Sequence, residues 1–304
     1  MILKRKVVAG VIIGMVALSL LAAAVFGGRG VDYYGAGATG DAVGVIRING
    51  MIVGGPGSSS LFGTVAGSES VMEQLRRAAG DPSIKVVVLR LNTPGGTTAA
   101  SQEIALEVSR LRKAGKKVVA SMGDVAASGG YWIASQCDRI VASPGTITGS
   151  IGVIMETQNL QGLYEKLGVD SRVFKSGEHK DMGSPARDIT AEEQKIFQDM
   201  VDEMYEQFIA TVSSGRGMDP GQVRKLADGR VFTGQQALEY GLVDDLGNYY
   251  DAIRAAAVLA GIRGEPEVVE LAPRRGWWET LSSVKLELPA FHAPAWLIYR
   301  PAAD

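Results

Sequence analysis

The run Ile84–Leu91 constrains this chain more than any other segment. It is almost continuously apolar and rich in β-branched side chains, so it reads as a strand buried on both faces, the situation of a parallel sheet with helices above and below. The next segments agree. Ala99–Lys113 has the spacing of an amphipathic helix, Gly115 ends it, Lys117–Ser121 is the next strand and Arg139–Ala142 a further short one. From Val43 onward the same alternation continues, which predicts an α/β fold built of βαβ units around a parallel sheet.

The N-terminus is different in kind. Lys4, Arg5 and Lys6 precede an uncharged apolar run from Val7 to Phe26, which at ~1.5 Å per residue is long enough to cross a hydrocarbon core of roughly 30 Å. This predicts a single transmembrane helix in the cell membrane. The basic cluster places the N-terminus in the cytoplasm and the body of the chain on the outer face. A cleaved secretory signal is the rival reading, with Ala22 and Ala24 small enough for a peptidase site; the length of the run favours the uncleaved anchor. The expected organisation is a basic end and anchor over 1–26, a glycine-rich tether over 27–42, a folded domain over 43–260 and a proline-rich extension over 261–304. Trp277, Trp278 and Trp296 in that extension are available for membrane-surface or partner contact.

Charge excludes some partners. With 31 basic and 33 acidic residues spread along the chain and a net charge of -2, there is no electrostatic footprint for nucleic acid. Cys137 is the only cysteine, so no intrachain disulfide or cysteine zinc cluster can form, and it reads as a small buried apolar residue. No metal or other cofactor is expected. Only His179 and His292 are available for imidazole chemistry. Gly54-Gly55-Pro56-Gly57 lacks the lysine and helix start of a phosphate-binding loop.

A capping box, Thr190-Ala191-Glu192-Glu193, starts a long helix. Two apolar rows run along it: Ile196, Met200, Met204, Phe208 and Val212 beside Phe197, Val201, Tyr205 and Ile209. So wide a stripe suits either a helix buried in its own core or one that contacts another subunit. Asp219-Pro220 and Thr233-Gly234-Gln235-Gln236 mark two later helix starts.

Chemistry is expected where a parallel sheet delivers its strand ends. Two small-residue clusters sit there: Asn92-Thr93-Pro94-Gly95-Gly96 after one strand, and Gly123 to Trp132 after the next. In the second, Ser128 opens a short helix through Ala134. The N–H of Gly129 at that helix start is an unpaired donor, half of an oxyanion hole, and the glycine pair after Pro94 offers the other half. The plain alternative is a Gly/Ala-rich turn for close packing, with Ser128 as an N-cap. A nucleophilic serine also needs a base. The candidates are His179 and Lys180, in the loop Ser176–Pro185 after an expected strand Arg172–Lys175, or His292, and the residues alone do not choose among them.

Four segments in order, T-P-G-G at 93–96, A-A-S-G-G-Y-W at 126–132, T-G-S-I-G at 148–152 and S-G-E-H-K-D-M-G-S-P at 176–185, resemble those of signal peptide peptidase A, the S49 family of serine peptidases, in its short, single-domain form. The likeness runs from about Val43 to Leu259. It implies a Clp-protease/crotonase-like spiral of βαβ units, with Ser128 as nucleophile, Lys180 as general base, Ser150 orienting the lysine, and Gly95 and Gly129 as oxyanion donors. It also implies a homo-oligomeric, octameric ring in which one copy's lysine can complete a neighbour's site, and cleavage of remnant signal peptides at the membrane. An extended peptide is expected to bind beside Ile151–Met155, touching Ile151, Gly152 and Val153. A lysine is a base only when uncharged, and a free lysine titrates near ~10.4, so Glu178 and Asp181 must turn away from position 180. The competing classes are a crotonase-type acyl-CoA enzyme, against which the anchor and the Ser-Gly-Gly argue, and a catalytically silent membrane scaffold.

Overall fold

The computed structural model describes residues 14, 40–60 and 63–272, and those from 40 onward belong to one compact unit. The predicted alternation becomes a sheet whose main strands are β1 (Ala42–Asn49), β5 (Ile84–Thr93), β6 (Lys117–Ala127), β7 (Arg139–Ala142), β10 (Asp245–Leu246) and β11 (Glu267–Glu270). Their spatial order is β10-β7-β6-β5-β1-β11, and every neighbouring pair is parallel. A small second sheet joins β2 (Met51–Val53), β4 (Gly63–Gly67) and β3 (Gly57–Ser60).

Both faces of the main sheet are covered, as the apolar run Ile84–Leu91 requires. Along β5, Val87, Leu89 and Leu91 enter one core while Val86 and Val88 enter the other. The first core is closed by α1 (Ser68–Gly80), α2 (Thr98–Lys113) and α3 (Gly129–Ala134), through Leu75, Ile104, Val108, Tyr131 and Ile133. The second is closed by Ala252, Ile253, Ala256 and Ala257 of α8 (Tyr249–Leu259). Each fully buried Val, Leu or Ile contributes roughly 1.5–3 kcal/mol relative to exposure, which the alternation along β5 supplies to two cores at once.

The structure departs from the sequence reading in three places. β6 does not stop at Ser121 but continues to Ala127, because its far end finds a second partner, β8 (Ile147–Gly149), after its near end has paired with β7. β8 is flanked in turn by the antiparallel β9 (Val231–Thr233). Glu267–Glu270, placed within the expected extension, is instead an edge strand in register with Ala42–Val45, and Leu271 beside it is buried. Arg172–Lys175 forms no strand. It has no neighbouring backbone to pair with among the described residues, and strand geometry without a ladder leaves its polar groups to water. The apolar run 7–26 lies outside the described residues except for Gly14; no helix among them is long and apolar enough to cross a membrane.

The long helix α5 (Ala191–Arg216) starts at the predicted capping box, with Thr190 accepting from the Glu193 N–H and Glu193 accepting from that of Thr190. Its two halves differ. Phe208, Ile209 and Val212 are buried in the first core, whereas Ile196, Phe197, Val201 and Met204 are only half-covered and Met200 is exposed. Core packing accounts for the second half of the stripe alone. The other predicted helix starts also form: Asp219 caps α6 (Pro220–Leu226), and Thr233 with Gln236 makes the box of α7 (Gly234–Glu239).

Candidate active site

Three strand ends build the site. β5, β6 and β8 end side by side, with Thr93 opposite Ala126 and Ala127 opposite Gly149, so the residues just beyond them, Gly95-Gly96, Ser128 and Ser150, emerge at one edge. Small residues make this possible. The hydroxyls of Thr146 and Thr148 donate to the carbonyls of Gly123 and Ala126 and lock β8 against the extended end of β6. The Ser128 N–H then donates to the Gly149 carbonyl at 2.9 Å, and the Ser150 N–H to that of Arg230 at 2.9 Å.

Ser128 (φ 53°) and Ser150 (φ 51°) are the only non-glycine residues with positive φ among those described. Such a backbone costs a side-chain-bearing residue about 1–3 kcal/mol and persists only when the surrounding structure enforces it. Ser128 occupies the N-cap position of α3 but makes no capping hydrogen bond with its side chain, which removes the plain structural reason for a serine there. Among the described residues neither hydroxyl has a hydrogen-bond partner, and both line a cleft of about 530 Å³.

The glycines next to Ser128 are required by contact. A Cβ on Gly129 would lie 2.3 Å from the Ser101 hydroxyl, and one on Gly95 (φ +107°) would lie 2.8 Å from the Gly129 nitrogen. The Gly129 N–H is the first of its helix and has no acceptor within the described residues. Gly95 is not so placed. It is buried, its N–H donates to the Thr93 hydroxyl at 3.1 Å, and it is Gly96 that lines the cleft. The N–H of Gly96 has no acceptor among the described residues, so the free donor lies one residue beyond the expected one. Nothing in T-P-G-G distinguishes the two glycines; the positive φ at Gly95 is visible only in three dimensions.

Part of the rest of the cleft is supplied by residues that the sequence reading had not assigned to it. Trp132 stacks on Phe208, ring centroids 4.4 Å apart, and with Val201 and Tyr205 of α5 forms an apolar wall. Gly152, Val153 and Ile154 form another part of the lining, while Ile151 is fully buried behind them. Residues 152–159 make no backbone–backbone hydrogen bond among the described residues, so their N–H and C=O groups are open to an added strand. Asp202 and Asp228 also reach the rim. The Arg230 guanidinium holds the Asp228 carboxyl down at about 2, and Gln198 donates to Asp202.

Lys180 is elsewhere. It sits on an exposed turn, does not line the cleft, and its amine has no partner among the described residues. The turn belongs to an arm, residues 152–190, most of whose side chains face solvent around the short helix α4 (Gln161–Leu167). His179 is also on it, with Nε2 3.6 Å from a Glu192 carboxylate oxygen and Nδ1 buried without a partner. His292 lies outside the described residues.

A parallel α/β sheet that presents a strained serine beside two free backbone N–H groups defines a hydrolase of the serine-nucleophile class. Comparison with known proteins makes this specific: the profile of peptidase family S49 matches residues 110–263, and the chain belongs to that family of serine peptidases. It is 46% identical over 206 residues to a putative protease of Synechocystis, covering 68% of this chain and 73% of that one. It is 41% identical over 209 residues to a putative signal peptide peptidase of Enterococcus faecium, covering 68% of this chain and 60% of that one. Among solved structures, a point mutant of ClpP1 from Listeria monocytogenes aligns with 69% of this chain and 94% of its own at 17% identity and a TM-score of 0.44.

Proposed function

We propose that this chain is a membrane-anchored endopeptidase that cuts remnant signal peptides and other apolar, unfolded peptides with a Ser128/Lys180 dyad completed between copies. The observation that carries the reading is the pair of positive-φ serines delivered to one cleft by adjacent strand ends. Ser128 Oγ attacks the scissile carbonyl and passes its proton to a neutral Lys180 amine. The oxyanion is received by the N–H groups of Gly129 and Gly96, donors that need no reorganisation because the backbone already holds them. Ser150, which lines the same cleft, orients the amine. The peptide adds as a strand along 152–155, beside Gly152 and Val153, with apolar side chains against Trp132, Tyr205 and Phe208.

The lysine comes from a second copy. In one chain Lys180 is exposed and off the cleft, while its arm carries Ile154 at 90% and Phe174 at 96% exposure. Apolar groups so uncovered mark a surface that associates, and the half-covered first part of α5 adjoins it as a further face. A Clp-like spiral assembled into a ring, octameric by family likeness, satisfies these demands. The basic cluster and apolar run at 4–26 support an anchor with the catalytic body outside the cytoplasm, and the Enterococcus relative's name supports the substrate class. A fluorophosphonate probe tests the chemistry: it labels wild-type protein at Ser128 and fails on Ser128→Ala. Labelling that survives this substitution contradicts the assignment.

A further inference from the structure

The turn carrying Lys180 is held by an ion network whose centre is Arg187. Its guanidinium grips two carboxylates at once. Nε and one terminal nitrogen donate to Asp181 at 3.0 and 2.8 Å, and both terminal nitrogens donate to Glu193 at 2.9 and 2.5 Å. Glu193 is the capping-box residue of α5 and is almost wholly buried, and the Asp181 side chain is only 11% exposed. From the other side Lys175 donates to the Asp181 carboxylate at 2.8 Å and to the Glu178 carbonyl at 2.7 Å, closing the turn across position 180. Backbone bonds from Lys180 to Gly177 and from Met182 to His179 complete it.

We propose that Arg187 is a positioning residue for Lys180: it ties the lysine's turn to the start of α5 and occupies the one carboxylate adjoining that lysine in sequence. The inference rests on Lys180 being the base. An unoccupied Asp181 carboxylate next to the amine would favour its charged form, which cannot accept the serine proton. Asp181 is held well below the usual carboxylate range by Arg187 and then Lys175, and Glu193 is held at about 2 by Arg187. The other charged or titratable groups facing this turn are Glu178 and His179 on it and Glu192 on α5, the last against His179. Only arginine has the planar fork for two bidentate grips, so a lysine at 187 retains one at most.

The test is the pH profile of kcat/KM on an apolar fluorogenic peptide, using the full chain in its assembled state. Arg187→Gln is expected to move the acidic limb up by ~1 pH unit, a roughly tenfold loss at a pH on that limb carried mainly by kcat, and adding Asp181→Asn to it is expected to bring the limb back. A loss of activity with an unmoved limb that Asp181→Asn does not restore means a merely structural role and overturns the proposal. Should Arg187→Gln fail to fold, Asp181→Asn alone serves: the limb is expected at or below the wild-type position, and a rise overturns the proposal. Lys180→Ala run in parallel separates the two ideas. Activity retained there removes the dyad itself; activity lost there with an unmoved Arg187→Gln limb removes only the role of Arg187.

Discussion

The serine side and the lysine side of this molecule are built in opposite ways. Around Ser128 every neighbour is enforced: three strand ends in register, glycines with less than 3 Å for a methyl group, and a backbone twist that only tight packing maintains. Around Lys180 the chain is held by an ion network and exposes its apolar side chains. The difference teaches that the serine side is preorganised by one chain's core, whereas on the proposed reading the base rides on a segment that finds its burial against another copy. On that reading activity depends on assembly, and a lone chain is idle.

Breaking the serine side should have the largest effect. Ser128→Ala is expected to lower kcat by ~10³-fold or more in the peptide assay without dissociating the oligomer. Gly129→Ala comes next. Its methyl group would meet the Ser101 hydroxyl at 2.3 Å and displace the oxyanion N–H, for an expected loss of ~10²–10³ in kcat. Phe208→Ala and Phe174→Ser then separate the two regions by their readouts. The first removes a buried ring stacked on Trp132 and should cost about 3–5 kcal/mol in denaturant unfolding. The second alters a side chain that nothing among the described residues covers, so it should leave intrinsic stability within ~0.5 kcal/mol while shifting the oligomer toward smaller species in sedimentation. Equal losses of stability would erase the contrast. The smallest effect is at the joint: Thr190→Ala removes the α5 cap for ~1 kcal/mol. Acid acts on the same joint. Glu193 has a folded-state value near 2 against an ordinary 4.5, so its pairing with Arg187 stabilises above about pH 4.5 and is lost as the pH falls toward 2.

The two regions were also unequally legible in the sequence. Packing against a local neighbour leaves a periodic trace, so β5, α2, the capping boxes at Thr190 and Thr233 and the strand-to-helix turn at Ser128 could all be read in advance. Partners distant in the chain leave none. The continuation of β6 through Gly123–Ala127 runs through small residues that gain strand structure only by pairing with β8, and β11 joins an edge more than 200 residues away in the chain. The same limit explains Arg172–Lys175, whose strand-like residues have no ladder among the described residues. At the glycine pair it is Gly96 that lines the cleft while the Gly95 N–H is taken by Thr93, a difference that a run of two glycines does not record. At α5 the stripe supported two uses, and the structure assigns its second half to the core.

The most direct test of completion between copies is to mix two inactive proteins, Ser128→Ala and Lys180→Ala, under conditions that exchange subunits. In the mixed oligomer some intact serines face intact lysines of a neighbour, so the account predicts that peptidase activity returns to a substantial fraction of wild type while each variant alone stays inert. Mixed oligomers that form and remain inactive would contradict it.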